Sequence, residues 1–495
     1  MKNKHKGIVY LVGAGPGDPE LISIKGKELI ETADCIIHDY LANPALLHNT
    51  HAERIYAGKQ GSQHTLSQEE INALIIQKAE EGKRVVRLKG GDPFIFGRGG
   101  EEAEELVKAG IPFAIVPGIS SFYSALAYAG IPITHRDCAA SFEVITGHRR
   151  ADGSEDIALP DYSAQKTYVF LMGMKNIDAI CNRLIHDKNF PVDTPTAVVT
   201  RGTTPEQKVA TGTVQTIADE VKRLKLTPPA IIAIGRVVSL RLALRWYDTL
   251  PLFGKKVVVT RTREQASVLS KKLHNLGAGV VEFPTIAIKK YDELSPLHDA
   301  FKKLHTYDWI VFTSQNAVTI FFDELFTSGR DARSIQSRIA AIGPATKDAL
   351  RKYSIIADVM PAEYVAESLI DAFKGVEIAG KNVLIPCSVK ARETLAQGLK
   401  QAGAIVERIH IYDAVQPDVD ESLKEEVETA EVITFTSSST VRNFAEIIND
   451  IQATIACIGP VTADECRKHG IQPHIIAHEY TIDGLVDAIV GYYTI

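Results

Sequence analysis

The run Lys89-Gly90-Gly91-Asp92-Pro93-Phe94-Ile95-Phe96-Gly97-Arg98-Gly99-Gly100-Glu101-Glu102 constrains this chain more than any other stretch. It follows Arg84-Val85-Val86-Arg87-Leu88, which reads as a short strand. It precedes Glu101 to Ala109, which reads as a helix with acidic residues in its first turn, stopped by Gly110-Ile111-Pro112. The run is therefore a strand-to-helix loop, longer than the ~2–6 residues such loops usually have. Its glycines let backbone approach a ligand because no Cβ stands in the way. Strand C-termini of open α/β sheets are where ligands sit. Two readings stand at this point: a ligand-facing loop, or a packed turn whose Phe94 and Phe96 belong to the core.

Composition narrows the class. At 495 residues the chain has room for about three domains or lobes, at ~150 residues each. Hydrophobic residues at 45% and charged ones at 23% are the balance of a globular protein. The net charge is −6 and no basic block stands out, so nucleic acid is not expected as a partner. An acidic chain still binds an acidic small molecule where cations gather locally. Cys35, Cys138, Cys181, Cys387, Cys457 and Cys466 include no CxxC pair and the histidines are scattered, so reduced thiols and no metal site are expected. Lys2, Lys4 and Lys6 precede the apolar run Ile8 to Val12, but that run meets Gly13-Ala14-Gly15-Pro16-Gly17-Asp18 at once and reads as a first strand, not a signal peptide. No run approaches the ~18 apolar residues of a membrane span. A cytoplasmic location with no membrane partner is the expectation.

The opening run closely resembles the signature of uroporphyrinogen-III C-methyltransferases, within the tetrapyrrole methylase family. The resemblance extends over residues 1 to about 245. It implies S-adenosylmethionine (SAM) held at this loop by Gly90, Gly91, Asp92 and Ile95. Because the chain starts at the family's first strand, a dehydrogenase–chelatase module of the siroheme-synthase kind is not expected ahead of it.

The other loops of the first half fit the same frame. Gly13-x-Gly15-Pro16-Gly17-Asp18-Pro19 departs from the G-x-G-x-x-G dinucleotide template at Asp18, and Pro16 removes an amide, so it reads as a ligand-facing turn. The resemblance puts Pro16 in contact with SAM. The strand Cys35-Ile36-Ile37 ends in His38-Asp39-Tyr40, and Tyr56-Ala57-Gly58-Lys59 follows. On spacing alone Asp39 is a cleft carboxylate or a loop cap, and Lys59 a surface lysine. The resemblance assigns Asp39 as proton acceptor and Lys59 as proton donor. Ser67-Gln68-Glu69-Glu70 starts a helix by a capping-box pattern. Phe113 to Val116 is a strand leading through Pro117-Gly118-Ile119 to Ser120 and Ser121, where the family more often has Thr-Ala. Further strands are read at Ser141 to Thr146, Thr167 to Leu171, Thr196 to Thr200 and Ala230 to Ile234. Ser120, Ser121, Met172 and Gly202 fall where the family contacts the cofactor. Uroporphyrinogen III is a polycarboxylate, so Arg98, Arg136, His148, Arg149 and Arg150 are candidates to receive it, or are ordinary surface charge.

The second half repeats itself. Gly254-Lys255-Lys256-Val257 recurs at Gly380-Lys381-Asn382-Val383, an offset of 126; Phe312-Thr313-Ser314 recurs at Phe435-Thr436-Ser437, an offset of 123; Ile342-Gly343-Pro344-Ala345-Thr346 recurs at Ile458-Gly459-Pro460-Val461-Thr462, an offset of 116. Two similar α/β lobes are expected, with small polar turns at strand ends that either bind anionic groups or cap helices. Residues 252 to 495 resemble uroporphyrinogen-III synthase. By that resemblance the chain crosses between lobes, Tyr412 assists departure of the substrate hydroxyl, and Thr462 lines the cleft.

The expected architecture is α/β throughout. A tetrapyrrole-methylase fold of two α/β subdomains (residues 1–248) precedes a two-lobed synthase fold (252–495), with lobe one at 254–288 plus 414–495 and lobe two at 289–413. The function implied is bifunctional. Hydroxymethylbilane is closed to uroporphyrinogen III with ring D inverted, and uroporphyrinogen III is then methylated twice with SAM to precorrin-2, on the route to siroheme or cobalamin. A homodimer through the first half is implied as well. The alternative is a methylase acting on a later precorrin, followed by a non-catalytic ligand-binding module.

Overall fold

The structure, a computed structural model, describes residues 6–47, 50–58, 66–148, 157–260, 263–364, 366–391, 393–415, 417, 419, 421–448 and 451–494, with the side chains of 263–267 and 422 left aside. The chain divides into two compact units: Met1–Val257 with Ser270–Val280 and Val486–Ile495, and Val258–Leu269 with Val281–Leu485. No helix among the described residues is long and apolar enough to cross a membrane.

The first unit holds two five-stranded sheets. One comprises β1 (Ile8–Gly13), β2 (Cys35–His38), β3 (Glu53–Tyr56), β4 (Arg84–Lys89) and β5 (Phe113–Val116), in the order β3-β2-β4-β1-β5 and parallel throughout. Alternate residues serve opposite faces. Val9, Leu11, Cys35, Ile37 and Val85 pack with Ile71, Ile75 and Leu106 on one side, while Val12, Ile36, Val86, Leu88 and Val116 pack with Ile30 on the other. The flanking helices are α1 (Ile24–Glu31), α2 (Gln68–Glu80) and α3 (Gly99–Lys108), and α4 (Ser121–Tyr128) follows β5. The capping box of α2 forms: the Glu70 amide donates to Ser67 Oγ, and the Ser67 amide to Glu70 Oε2. Helix α3 starts at Gly99, two residues before the point that its acidic residues suggest. Arg98 precedes it in the left-handed region, φ 60°.

The second sheet comprises β6 (Ser141–Thr146), β7 (Lys166–Leu171), β8 (Pro195–Thr200), β9 (Lys208–Thr213) and β10 (Ala230–Ile234), in the order β6-β7-β10-β8-β9. Only the β6–β7 pair is parallel. Helix α4 lies on this sheet: Ala125 and Leu126 are buried with Val169, Val199 and Ile231.

The remaining sheets belong to the second unit, apart from the opening residues of β11 and β12. Their strands are β11 (Lys256–Val259), β12 (Gly279–Glu282), β13 (Ala287–Lys290), β14 (Trp309–Phe312), β15 (Arg338–Ala341), β16 (Asn382–Ser388), β17 (Ile405–Val415), β18 (Val432–Phe435), β19 (Thr454–Cys457) and β20 (Ile475–Ile476). The orders are β12-β11-β18-β19-β20 and β13-β17-β16-β14-β15. Each sheet therefore takes its leading pair, β11–β12 or β16–β17, from one copy of the sequence repeat, and its Thr-Ser and Gly-Pro strands from the other copy. Buried aromatics fill the cores, among them Phe312, Phe321 and Phe322 in one and Phe283, Phe435 and Phe444 in the other. All six cysteines are free thiols, five of them buried.

Candidate active sites

Three strand ends of the parallel sheet cross with almost no side chain between them. The Gly91 amide donates to Gly15 O at 2.7 Å, and the Gly15 amide to Gly91 O at 3.2 Å. A Cβ on Gly118 would lie 2.2 Å from Gly91 O and 2.7 Å from Gly13 Cα, so only glycine allows this crossing. Gly91 itself has φ 67°, and the nearest atom to a Cβ built there is Ser120 Cα at 3.9 Å. Its backbone therefore faces open space beside Ser120 and Ser121, which open α4. The Asp92 carboxylate ties the loops together: Oδ2 accepts from the Gly118 amide at 2.9 Å and Oδ1 from the Phe94 amide at 2.7 Å. Phe94, Ile95 and Phe96 are all exposed, so the packed-turn reading of this loop does not hold.

Asp39 stands at the end of β2, next to this crossing. Its Oδ1 accepts from the Leu41 amide at 3.1 Å and the Gly90 amide at 3.2 Å. Its Oδ2 lies 3.8 Å from Arg87 Nη2 and has no hydrogen bond among the described residues. Lys59, Arg149 and Arg150 lie outside the described residues. Arg98 is engaged with Glu101, Nη2 to Oε2 at 2.5 Å, whereas Arg136 and His148 are exposed.

The second sheet adds further loops. The Asp18 amide donates to Thr203 Oγ1 at 3.1 Å, which joins the Pro16 loop to the turn carrying Gly202. A Cβ on Gly202 would meet Ala125 Cβ at 2.2 Å, so the same turn packs tightly on α4. Met172 follows β7 with φ 57° and an exposed side chain. Phe96, Arg98, Arg201 and Thr203 also adopt left-handed φ. A non-glycine residue there stores roughly 1 kcal/mol or more of strain, and such residues gather at functional sites. Asp18 accepts a 2.7 Å hydrogen bond from Tyr128 and lies 3.3 Å from His274 Nε2. Burial opposes its ionisation, but the His274, Tyr128 and Glu20-amide hydrogen bonds together hold the carboxyl below its usual range. The Asp18 bond in turn raises the His274 imidazole, against burial.

Sequence reasoning missed the charges beneath this site. A strand written Arg84-Val85-Val86-Arg87-Leu88 suggests an outward Arg87, yet Arg87, Lys89 and Glu102 are buried together. A cation in a central parallel strand is the available signal, since such strands bury both faces. Burial first, then the charge of Arg87, lowers the proton affinity of Lys89.

In the second unit the Thr-Ser turns are helix caps. Ser314 Oγ accepts from the Ala317 amide at 3.0 Å, and Ser437 Oγ from the Thr440 amide at 3.4 Å. Ser314 Oγ also meets Tyr412 OH at 2.8 Å. Tyr412 is only 6% exposed, and burial raises its phenol above the usual value. The Gly-Pro turns differ: the helices Pro344–Lys352 and Pro460–Lys468 have no side-chain cap, and Thr346 and Thr462 are each buried in the first turn. Tyr412 on β17 and Thr462 beyond β19 belong to different sheets. The repeat also contains a pair the sequence did not suggest. Exposed Tyr364 lies against Gly343 and exposed Tyr480 against Gly459, at the same offset of 116 as the glycines.

Glycine-crossed strand ends beside a partly buried carboxylate, ahead of two further α/β sheets, define an enzyme class that works at the C-terminal edges of α/β sheets. Comparison with known proteins makes this particular. Family models match residues 8–218 as tetrapyrrole (corrin/porphyrin) methylases and 267–487 as uroporphyrinogen-III synthase HemD. The porphyrin biosynthesis protein HemD of Ruminiclostridium josui is 38% identical over 98% of both chains. The uroporphyrinogen-III C-methyltransferase of Bacillus subtilis is 39% identical over 76% of this chain and 77% of its own. A siroheme synthase of Acinetobacter baylyi is 49% identical over 49% of this chain and 53% of its own. The chain belongs to this family, as an enzyme that joins a tetrapyrrole methylase to a HemD-type synthase.

Proposed function

We propose that residues 1–248 are a SAM-dependent uroporphyrinogen-III C-methyltransferase and that residues 252–495 are a uroporphyrinogen-III synthase, its lobes at 254–288 with 414–495 and at 289–413. The observation that carries the first assignment is the open backbone face of Gly91 beside the unbonded Oδ2 of Asp39. The exposed Phe94, Ile95 and Phe96 support it, since apolar side chains at the mouth exclude water from a charge-separated transfer. Pro16, Gly90, Gly91, Asp92, Ile95, Ser120, Ser121, Met172 and Gly202 would hold SAM, mainly through backbone. Asp92 acts by fixing loops, because both its oxygens are committed to amides.

SAM supplies an electrophilic methyl group. The protein holds a pyrrole carbon of uroporphyrinogen III in line with it, which is where most of the acceleration of such a transfer arises. Asp39 takes the proton that the alkylated macrocycle loses, which balances the methyl cation gained, Lys59 is the proton donor when the product tautomerises, and Arg136 receives a substrate carboxylate. Two transfers, on rings A and B, give precorrin-2. In the second half Tyr412, held by Ser314, protonates the departing hydroxyl of hydroxymethylbilane, and Thr462 binds the folded substrate while ring D inverts. A homodimer through the first half completes the reading, and light scattering on the eluted protein tests it.

The deciding experiment gives the full chain uroporphyrinogen III and methyl-labelled SAM, and separately hydroxymethylbilane. Two labelled methyl groups per macrocycle and the type III isomer are expected. No labelled macrocycle would leave a later precorrin as acceptor, and type I isomer alone would reduce the second half to a binding module.

A further inference from the structure

Strand β4 turns two cations toward α2 and α3. Arg87 and Lys89 share a face with Val85, and their common partner is Glu102 of α3, whose side chain is 0% exposed. Glu102 Oε1 accepts from Lys89 Nζ at 2.8 Å, Arg87 Nε at 3.2 Å and Gln68 Nε2 at 3.3 Å. Its Oε2 is buried without a partner among the described residues. Buried charge is costly unless it is well paired, and an apolar side chain would anchor the helix as well. The retained charges have a visible use. Arg87 Nη1 donates to Ile37 O at 3.3 Å and Leu88 O at 3.2 Å, and its Nη2 reaches toward Asp39 Oδ2 at 3.8 Å. Lys89 leads directly into Gly90, whose amide holds Asp39 Oδ1. Glu102 thus lies under both residues that frame the Asp39 carboxylate. Two buried cations meet one buried anion, and Asp39 is the second anion of the group.

We propose that Glu102 is a positioning residue for methyl transfer: through Arg87 and Lys89 it sets the Asp39 carboxylate and the Gly90–Gly91 turn in fixed relation. This rests on the reading of Asp39 as proton acceptor. A carboxylate displaced by about 1 Å can lose 10²-fold in rate with substrate binding little altered. Glu102 touches neither substrate in this account.

The test uses full-length Glu102→Gln, Arg87→Met, Arg87→Lys and Asp39→Asn. For each, kcat and KM are measured with uroporphyrinogen III and labelled SAM, and S-adenosylhomocysteine binding by calorimetry serves as the folding check for the half that carries the substitution. Glu102→Gln and Arg87→Met are expected to lower kcat at least tenfold, with KM and S-adenosylhomocysteine affinity within threefold. Arg87→Lys is expected to regain part of the loss, which a role in packing alone would not predict. Folded Glu102→Gln or Arg87→Met with unchanged kcat, beside an inactive Asp39→Asn, would overturn the brace and leave Asp39 in its role. Full activity in Asp39→Asn would overturn both. Should Glu102→Gln not fold, the kcat of Arg87→Met against Arg87→Lys decides.

Discussion

Asp39 is the proposed proton acceptor of the first half: one of its oxygens is tied to two amides, and the other has no hydrogen bond among the described residues. Replacing it with asparagine keeps the shape and removes the proposed base. We expect Asp39→Asn to lose about 10²- to 10⁴-fold in methyl transfer, the usual span for a general base, with S-adenosylhomocysteine affinity unchanged by calorimetry. A second pair of residues sets a pH dependence of stability. His274 is held above its ordinary value by Asp18, and Asp18 is held below its own. The His274 contribution is complete below the unfolded value of about 6.5 and is lost as pH rises through the folded value. The Asp18 contribution is present above about 3.9 and is lost as pH falls through the folded value. His274→Gln should therefore destabilise most near pH 5.5 and least near pH 9. Urea melts across that range would contradict the pairing if the difference stayed constant.

At the scale of elements, caps and crossings carry measurable weight. Ser314→Ala and Ser437→Ala each remove an N-cap, worth about 1 kcal/mol. The first also strips the buried Tyr412 hydroxyl of its partner, which adds about 1–2 kcal/mol. Urea unfolding should accordingly rank Ser314→Ala as the more damaging, and equal losses would argue against the Ser314–Tyr412 bond. Glycines of one loop system separate in the same way. Gly118→Ala drives a methyl into Gly91 O and should weaken S-adenosylhomocysteine binding tenfold or more. Gly100→Ala meets nothing within 4 Å, lies inside α3, and should leave binding intact while stabilising the helix by about 0.5–1 kcal/mol.

For the whole molecule, the expectation is continuity between the halves. The full chain given hydroxymethylbilane and labelled SAM together should release a labelled macrocycle without added uroporphyrinogen III. A product unlabelled under these conditions, from a chain that methylates added uroporphyrinogen III, would show that the synthase half does not supply the acceptor. Much of the fold behind this was readable in the residues. Apolar runs marked β1, β2, β4 and β5, the Ser67–Glu70 pattern marked the start of α2, and the glycine loops marked the strand ends where Asp39 and Gly90 meet. Those signals are local: a strand or a cap is decided by a few neighbouring side chains. Edge strands were less legible, because in β3 Glu53, Arg54 and Tyr56 are exposed and only Ile55 is partly buried, so no apolar run marks it. Two features were decided by tertiary structure alone. These are the burial of Arg87 and Lys89 around Glu102, and the seating of Tyr364 and Tyr480 against Gly343 and Gly459. Each depends on which distant segment arrives to neutralise or to cover, and spacing along a chain carries no record of that.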